Sequence, residues 1–143
     1  MGKQVRLFHS VQRSRLEEVL RTGIRAASHF DDLGLEMRRG VVFCWLRKED
    51  DKMSSGGQRP DHTYVEVAVE EERCVVADMD LFSIALMYCQ GSGGKPRNPE
   101  ASRLLAEAYR VSAVPLAAYG DGIFFTPEVL VRGDIGPESI RPL

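Results

Sequence analysis

The chain has 143 residues, of which 43% are hydrophobic and 28% charged, a composition typical of one globular domain with its own core. Apolar runs stay well below the roughly 18 residues of a membrane span, and the N-terminus lacks a secretory pattern, so we expect no membrane partner and a cytoplasmic location. The formal net charge of −2 argues against a large non-specific nucleic-acid surface.

The first predicted elements are a short strand and an amphipathic helix. Apolar residues favour a strand over residues 5–8, and His9 stands where this strand is expected to end. Ser10 is a suitable N-cap for a helix over residues 11–22, and Gly23 is the expected stop signal. The pattern alone leaves His9 either a structural histidine or a ligand-binding one.

The middle of the chain alternates between polar loops and short strands. Residues 29–39 are predicted to form a loop with one helical turn. Residues 41–46 are apolar on both faces, which predicts a central strand, and further strands are predicted at 64–69 and 74–77. The acidic, Ser-Gly-rich segment 48–61 is predicted to be a loop that contacts or closes over a substrate.

Two helices and a turn precede the last strand. Asp78 or Asp80 is expected to cap a helix that reaches about Tyr88, and a second helix is predicted over residues 99–111. A hairpin-type turn is predicted at residues 120–122. The expected buried faces are residues at helical spacing, namely Leu81, Ile84, Ala85 and Tyr88 in the first helix and Leu104, Leu105 and Ala108 in the second.

The cysteines and histidines show no spacing typical of a metal site. Cys44, Cys74 and Cys89 are far apart, and no Cys-x-x-Cys motif occurs. Cys44 lies within an apolar run, where a buried thiol behaves as a small hydrophobic side chain. We therefore expect free structural thiols and no bound metal.

Glu128 stands at the beginning of the last predicted strand. Val129, Leu130 and Val131 are typical of a buried strand, and glycine and proline follow them. A buried carboxylate costs free energy unless it is paired or used chemically. Glu128 is therefore either a solvent-facing residue of an edge strand or a residue with a specific role.

The two ends of the chain resemble a known family. Residues 7–11, followed by a helix and Gly23-Ile24, resemble the opening Tyr-His-x-Thr, helix, Gly-Leu pattern of ADP-ribosyltransferase-fold proteins. Residues 128–140, with the pattern Glu-Val-Leu-Val-x-Gly-Asp-Ile-x-Pro-Glu-Ser-Ile, resemble the closing strand of the DNA ADP-ribosyltransferase toxins, in which this glutamate is catalytic. The tRNA 2′-phosphotransferases share the opening pattern and a vaguer version of the close.

This resemblance implies an α+β fold and an NAD-dependent activity. It implies one small ADP-ribosyltransferase-like domain over residues 1–143, with short strands and about three helices. NAD would be a substrate, and ADP-ribose would pass to an unidentified acceptor, nucleic acid or protein. Glu128 would stabilise the oxocarbenium-like transition state. His9 and Ser10 would hold the dinucleotide, Arg39 would meet the pyrophosphate and Tyr64 would stack on nicotinamide, although Arg38 or Arg47 and Phe43, Trp45 or Tyr88 are alternatives for these last two roles.

The chain also departs from the family pattern. Ser-Val follows His9 where the family has another residue and then Thr, and Pro127 replaces a small residue before the glutamate. Proline fixes φ and removes a hydrogen-bond donor, so it is expected to affect the carboxylate's position. Two alternatives therefore stay open: a non-catalytic module that binds a nucleotide or a protein, and an RNA 2′-phosphotransferase, which ranks last because its basic clusters are not found.

Overall fold

The computed structural model describes residues 2–28, 32–52, 60–91 and 93–143. Within these ranges the chain forms a seven-stranded sheet and three α-helices, which confirms the predicted α+β class. The strands are β1 (Gln4–Gln12), β2 (Val41–Trp45), β3 (His62–Glu70), β4 (Cys74–Asp78), β5 (Val114–Pro115), β6 (Pro127–Arg132) and β7 (Ile140–Pro142), and the helices are α1 (Leu16–Thr22), α2 (Met79–Gln90) and α3 (Pro99–Ser112).

The sheet has a narrow connection in its middle. The strand order is β5-β4-β6-β2-β1-β3-β7, and neighbouring strands are antiparallel. β1 pairs with β3 along its whole length, but its register with β2 consists of one residue pair, Phe8 and Trp45. The sheet therefore divides into a three-stranded leaf (β1, β3 and β7) and a four-stranded leaf (β2, β4, β5 and β6).

Both faces of the sheet are covered by apolar side chains. Val129 and Val131 of β6 point to the face that α1 covers through Val19. Leu130 points to the other face and packs in a cluster with Phe82 of α2 and Tyr109 of α3. Successive strand residues alternate between the two faces, so a strand that is buried on both faces carries a continuous apolar run. In β6 this run is Val129–Val131, and Glu128 directly precedes it.

The N-terminal strand is longer than predicted. β1 continues through His9 and Ser10 to Gln12, and α1 begins only at Leu16. The predicted helix start and the Ser10 cap are wrong because β3 offers a partner for every residue of β1, so the strand ladder satisfies the backbone groups that a helix would have used. The helix ends at Gly23 as predicted, with the Gly23 N–H donating to the Val19 carbonyl at 2.8 Å.

The two later helices form where predicted, but their buried residues match the predicted faces only in part. The Asp78 side chain caps α2 by accepting from the Asp80 N–H, and α2 buries Phe82 and Ala85. In α3 the buried residues are Ser102 and Tyr109, and the predicted core residue Leu104 is 59% exposed. Of the face predicted for α2, Ala85 is buried and Leu81 packs against the core, whereas Ile84 and Tyr88 are exposed.

The remaining predictions for the middle of the chain have mixed outcomes. The strands predicted at 64–69 and 74–77 lie within β3 and β4, and the strand predicted at 41–46 forms as β2, which ends one residue earlier. Residues 120–122 do form a turn, but no strand follows until Pro127, so the predicted hairpin is wrong. The substrate-contacting role of segment 48–61 stays a prediction, because residues 53–59 lie outside the described part.

Among the residues that the structure describes, no helix is long and apolar enough to cross a bilayer.

Candidate functional site

Glu128 is a buried residue of a central strand. It pairs with Trp45 of β2 on one side and with Ala77 of β4 on the other, and it is 3% exposed. The alternative of a solvent-facing edge glutamate is therefore wrong, since β6 lies between two strands. Pro127 also takes part in the ladder, opposite Asp78, so it leaves Glu128 in register.

Arg38 neutralises this buried carboxylate inside an aromatic enclosure. Its Nη1 atom donates to Glu128 Oε1 at 2.7 Å and to the Tyr109 hydroxyl at 2.8 Å. The centre of the guanidinium lies 3.8 Å from the centroid of the Phe82 ring and 4.4 Å from that of Phe43. Planar guanidinium groups are suited to such sites because they donate at their edge and stack on their face.

Two opposing influences act on the ionisation of Glu128. Burial is the stronger one and raises the pKa of Glu128 above its ordinary value, since a low-dielectric surrounding disfavours charge. The charge and hydrogen bond of Arg38 lower this pKa, and the nearby charge of Asp51 raises it further. The pKa of this carboxylate is thus set by burial and by two charged neighbours, Arg38 and Asp51, and such perturbed groups are common at functional sites.

His9 links the two leaves next to Glu128. Its Nδ1 atom lies 2.7 Å from the Phe43 carbonyl oxygen, and because a carbonyl only accepts, Nδ1 carries the proton. Burial lowers the pKa of His9, and the bond to Phe43 only partly offsets this effect. The ring is therefore neutral near pH 7, and its Nε2 atom is a hydrogen-bond acceptor.

Glu128 and His9 line one cavity of about 430 Å³, which we call the Glu128 cavity. Ser10 lines it as well, as do Asp51, Asp80 and Thr126. Thr126 is 4% exposed, and its hydroxyl has no hydrogen-bond partner among the described residues. An unpaired buried hydroxyl costs free energy, which a bound ligand with a polar group would recover.

A second cavity of about 510 Å³, which we call the cleft cavity, adjoins the first. Both cavities are lined by His9, Ser10 and Phe43, so they meet where the two leaves separate. Arg15 and Arg25 contribute cationic side chains to the cleft cavity, and Glu18, which lies 3.5 Å from Arg15, contributes an anionic one. Each cavity has the volume expected of a small-molecule site.

The structure brings together three of the five residues predicted for the site. Glu128, His9 and Ser10 line the Glu128 cavity, but Arg39 and Tyr64 line neither cavity. The Tyr64 hydroxyl instead donates to Asp51 Oδ2 at 3.2 Å, and Arg39 follows the short 3-10 turn Glu36–Arg38. The roles of Arg39 and Tyr64 in binding NAD stay predictions.

Three residues around Glu128 were not assigned to the site from the sequence. Arg38 was only one of three arginines considered, and nothing in its neighbourhood marked it as buried. Thr126 precedes Glu128 by two residues and therefore lies on the same side of the chain, a spacing that could have identified it. Asp51 gave no such signal, because its burial depends on the tertiary fold.

Ser10 makes a further polar contact at the junction of the cavities. Its hydroxyl lies 3.0 Å from Nδ1 of His62, which stands two positions from its cross-strand partner Tyr64. The His62 tautomer decides which group donates in this contact. If Nδ1 of His62 lacks the proton, the Ser10 hydroxyl donates to it; if Nδ1 carries the proton, the Ser10 oxygen accepts and its own proton can point elsewhere. The predicted position of Ser10 at a helix N-terminus is wrong, so any ligand contact must come from its side chain.

Cys44 and Cys74 are buried thiols that do not contribute reactive groups. The three cysteines are free, as predicted. Burial raises the pKa of Cys44 and raises that of Cys74 to about 11, so both stay protonated and unreactive at neutral pH. The described residues contain no cluster of three His, Cys, Asp or Glu side chains able to hold a metal ion.

The groups of this site are suited to a polar ligand, and a buried carboxylate is suited to stabilising positive charge that develops beside it. Glu128 supplies buried negative charge, His9 an acceptor nitrogen and Thr126 a hydroxyl, while the cleft cavity supplies cations. Acceptors beside cationic donors suit a ligand with hydroxyl groups and phosphates.

A scan of the chain against protein-family models gave no match, and a search of curated proteins gave no significant one.

Proposed function

We propose that this chain binds NAD and transfers its ADP-ribosyl group to an acceptor. The observation that carries the proposal is the buried carboxylate of Glu128 in the wall of a cavity that it shares with His9 and Ser10. A catalytic carboxylate needs to face a ligand-sized space, whereas a surface glutamate does not. The likeness of the two chain ends to ADP-ribosyltransferases supports the same activity.

The chemistry requires negative charge beside the ribose. Breaking the bond from ribose C1′ to nicotinamide develops positive charge on the sugar, and a fixed carboxylate in a water-poor site stabilises it. Arg38 occupies Oε1 of Glu128, which leaves Oε2 able to accept a hydrogen bond from the ribose 2′-hydroxyl. Arg38 thus both neutralises the resting carboxylate and fixes its orientation.

The two cavities together suit the two halves of a dinucleotide. The reacting ribose and nicotinamide would lie in the Glu128 cavity, and the chain of phosphates would pass His9 into the cleft cavity. There Arg25 would offer charge to the pyrophosphate, and so would Arg15 in competition with its ion pair to Glu18. The Nε2 atom of neutral His9 would accept a bond from a ribose hydroxyl at the junction.

The test is the release of nicotinamide from NAD by the wild type and by Glu128→Gln. Glutamine keeps the shape and an oxygen acceptor for Arg38 but lacks the negative charge. We expect the rate to fall by about 100-fold or more, as when one transition-state contact is removed elsewhere, with NAD affinity largely kept. Glu66→Gln is the matched control, because Glu66 is also a strand glutamate paired with an arginine, but at the surface.

Thermal melts with and without NAD separate binding and folding from catalysis. At about 100 times its dissociation constant, NAD should stabilise the wild type by roughly 2.7 kcal/mol, or on the order of 8 °C for a domain of this size. If Glu128→Gln does not fold, Glu128→Asp keeps the charge and moves the carboxylate by one methylene. A folded Glu128→Gln protein that releases nicotinamide at the wild-type rate would overturn the proposed role of Glu128.

One observation favours a second candidate function, a nucleotide-binding module without catalysis. The charge of Glu128 is already compensated by Arg38 at 2.7 Å, which is also what a purely structural ion pair would show. This alternative predicts an NAD-dependent rise in melting temperature in both proteins with no nicotinamide release from either. Nicotinamide release that depends on Glu128 excludes it.

A further inference from the structure

Thr126 carries a polar group that the free protein does not use. The residue is 4% exposed, and its hydroxyl has no hydrogen-bond partner among the described residues. Buried side-chain hydroxyls are nearly always hydrogen-bonded, because an unpaired one loses its hydration without compensation. The free protein is therefore less stable with threonine here than with valine, which has nearly the same shape and no hydroxyl.

The backbone of Thr126 is held in place on two sides. Its carbonyl accepts a hydrogen bond from the Met79 N–H at 3.0 Å, where α2 begins. Pro127 follows it, restricts its backbone to extended conformations and pairs with Asp78 in the ladder between β6 and β4. The side chain can still rotate about χ1 between staggered positions, and such a rotation changes the direction of the hydroxyl.

Thr126 and Glu128 share one cavity. Both line the Glu128 cavity, and neither lines the cleft cavity. Because they are two residues apart in the chain, their Cα atoms are separated by no more than about 7 Å. A sugar or pyridine ring that contacts Glu128 in this cavity therefore lies within reach of the Thr126 hydroxyl.

We propose that Thr126 is a binding residue for the nicotinamide riboside half of NAD, and that its hydroxyl forms a hydrogen bond with a polar group of that half. The inference rests on the proposed function, in which this half lies at Glu128. A bond formed only with the ligand pairs a hydroxyl that is otherwise buried alone, so its contribution to affinity is large. Thr126 thus lowers the stability of the free protein and raises its affinity for the ligand.

The experiment measures binding of NAD and of ADP to the wild type and to Thr126→Val by calorimetry. ADP lacks the nicotinamide riboside half. We expect Thr126→Val to weaken the binding of NAD about tenfold and that of ADP less than about twofold. Trp45 is the chain's single tryptophan and lines the Glu128 cavity, so a change in its fluorescence shows that NAD enters this cavity.

Unfolding in urea without ligand provides a second readout. We expect the midpoint of Thr126→Val to equal or exceed that of the wild type, because the variant buries no unpaired hydroxyl. A residue with a merely structural role would not combine an unchanged or higher midpoint with weaker binding. Thr63→Val is the matched control, because Thr63 is half-buried in β3 and lines neither cavity, so NAD affinity should not change.

Two further variants separate the hydroxyl from the methyl group if Thr126→Val does not fold. Thr126→Ser and Thr126→Ala both lack the methyl group, and only the first keeps the hydroxyl. We expect Thr126→Ser to bind NAD about tenfold more tightly than Thr126→Ala. Equal affinities of these two variants would overturn the inference.

The outcomes distinguish this inference from the function on which it rests. If the wild type binds NAD and Thr126→Val binds it equally well, Thr126 is not a binding residue and the proposed function stands. Equal weakening of NAD and ADP overturns the assignment to the nicotinamide riboside half. A lower urea midpoint of ligand-free Thr126→Val shows that the hydroxyl is already paired, which also overturns the inference. Absence of NAD binding by the wild type overturns the proposed function, and this inference with it.

Discussion

Arg38 is the residue on which the interior of the site depends. Its guanidinium is enclosed by Phe43 and Phe82 and bonded to Glu128 and Tyr109, so it contacts side chains from β2, α2, β6 and α3. Burying two opposite charges recovers their hydration only when the geometry is good. Removing one partner is therefore expected to lower stability more than replacing both partners with apolar residues.

The first prediction concerns this pair. Arg38→Met should lower the free energy of unfolding by about 3–5 kcal/mol, because Glu128 is then buried without a cation. The double variant Arg38→Met, Glu128→Leu should regain much of the loss. Urea unfolding followed by circular dichroism measures both, and equal losses in the single and double variants would contradict the argument.

A matched control for this prediction is the exposed ion pair of Arg110 and Glu107 on α3. Arg110→Met removes the same kind of side chain from a partner that water can solvate. We expect little change in the urea midpoint, since exposed pairs contribute little to stability.

The second prediction concerns pH and His9. Burial lowers the pKa of His9 in the folded protein, so the unfolded chain binds its proton more readily. The stabilisation from neutral His9 is then complete above the unfolded pKa of about 6.5 and is lost as the pH falls toward the folded pKa. His9→Asn keeps a donor for the Phe43 carbonyl but does not titrate.

We therefore expect the urea midpoint of the wild type to fall more steeply between pH 7.5 and pH 5 than that of His9→Asn. Converted to the free energy of unfolding with the m-value, the difference in slope has a ceiling of about 1.4 kcal/mol per pH unit, the value for one proton. Parallel pH profiles of the two proteins would show that His9 is not held neutral by burial.

At the scale of elements, α2 and α3 meet through an aromatic pair, Phe82 and Tyr109. The ring centroids of Phe82 and Tyr109 lie 5.6 Å apart, and both rings pack in a cluster with Leu130. The Tyr109 hydroxyl accepts a hydrogen bond from Arg38. A tyrosine with a buried partner for its hydroxyl is well suited to such a position. The leucine that the pattern favoured, Leu104, stays in solvent.

The third prediction tests this packing. Tyr109→Ala should destabilise the protein by about 3–5 kcal/mol, because it leaves a cavity and deprives Arg38 of a partner. Leu104→Ala, an exposed truncation on the same helix, should change stability by less than about 0.5 kcal/mol. Thermal or urea unfolding compares the two, and similar losses would support the leucine-lined face instead.

The element predictions succeeded where the local pattern is decisive. β2, β3 and β4 have uninterrupted apolar or alternating residues, and Asp78 and Gly23 are strong end signals. The end of β1 failed for a tertiary reason. Ser10 is a good cap in isolation, but Tyr64 and its neighbours, more than fifty residues away, provide a full strand partner.

At the scale of the whole molecule, the site was predictable only in part. The two ends of the chain identified Glu128, His9 and Ser10, and the fold does bring these into one cavity. The placement of Arg38 and Thr126 beside Glu128 depends on which face of β6 meets α2 and α3, and the sequence pattern does not predict that face. Tyr64 was expected at the dinucleotide, yet its hydroxyl contacts Asp51 in the structure.

The division of the sheet has a consequence for how such a site is kept in register. His9 and Ser10 belong to one leaf and Glu128 to the other, and the register between the leaves is set by the pair of Phe8 and Trp45. The hydrogen bond from His9 to Phe43 adds a second tie across the same gap. The spacing of the groups that face a ligand therefore also depends on Phe8, a residue that lines neither cavity.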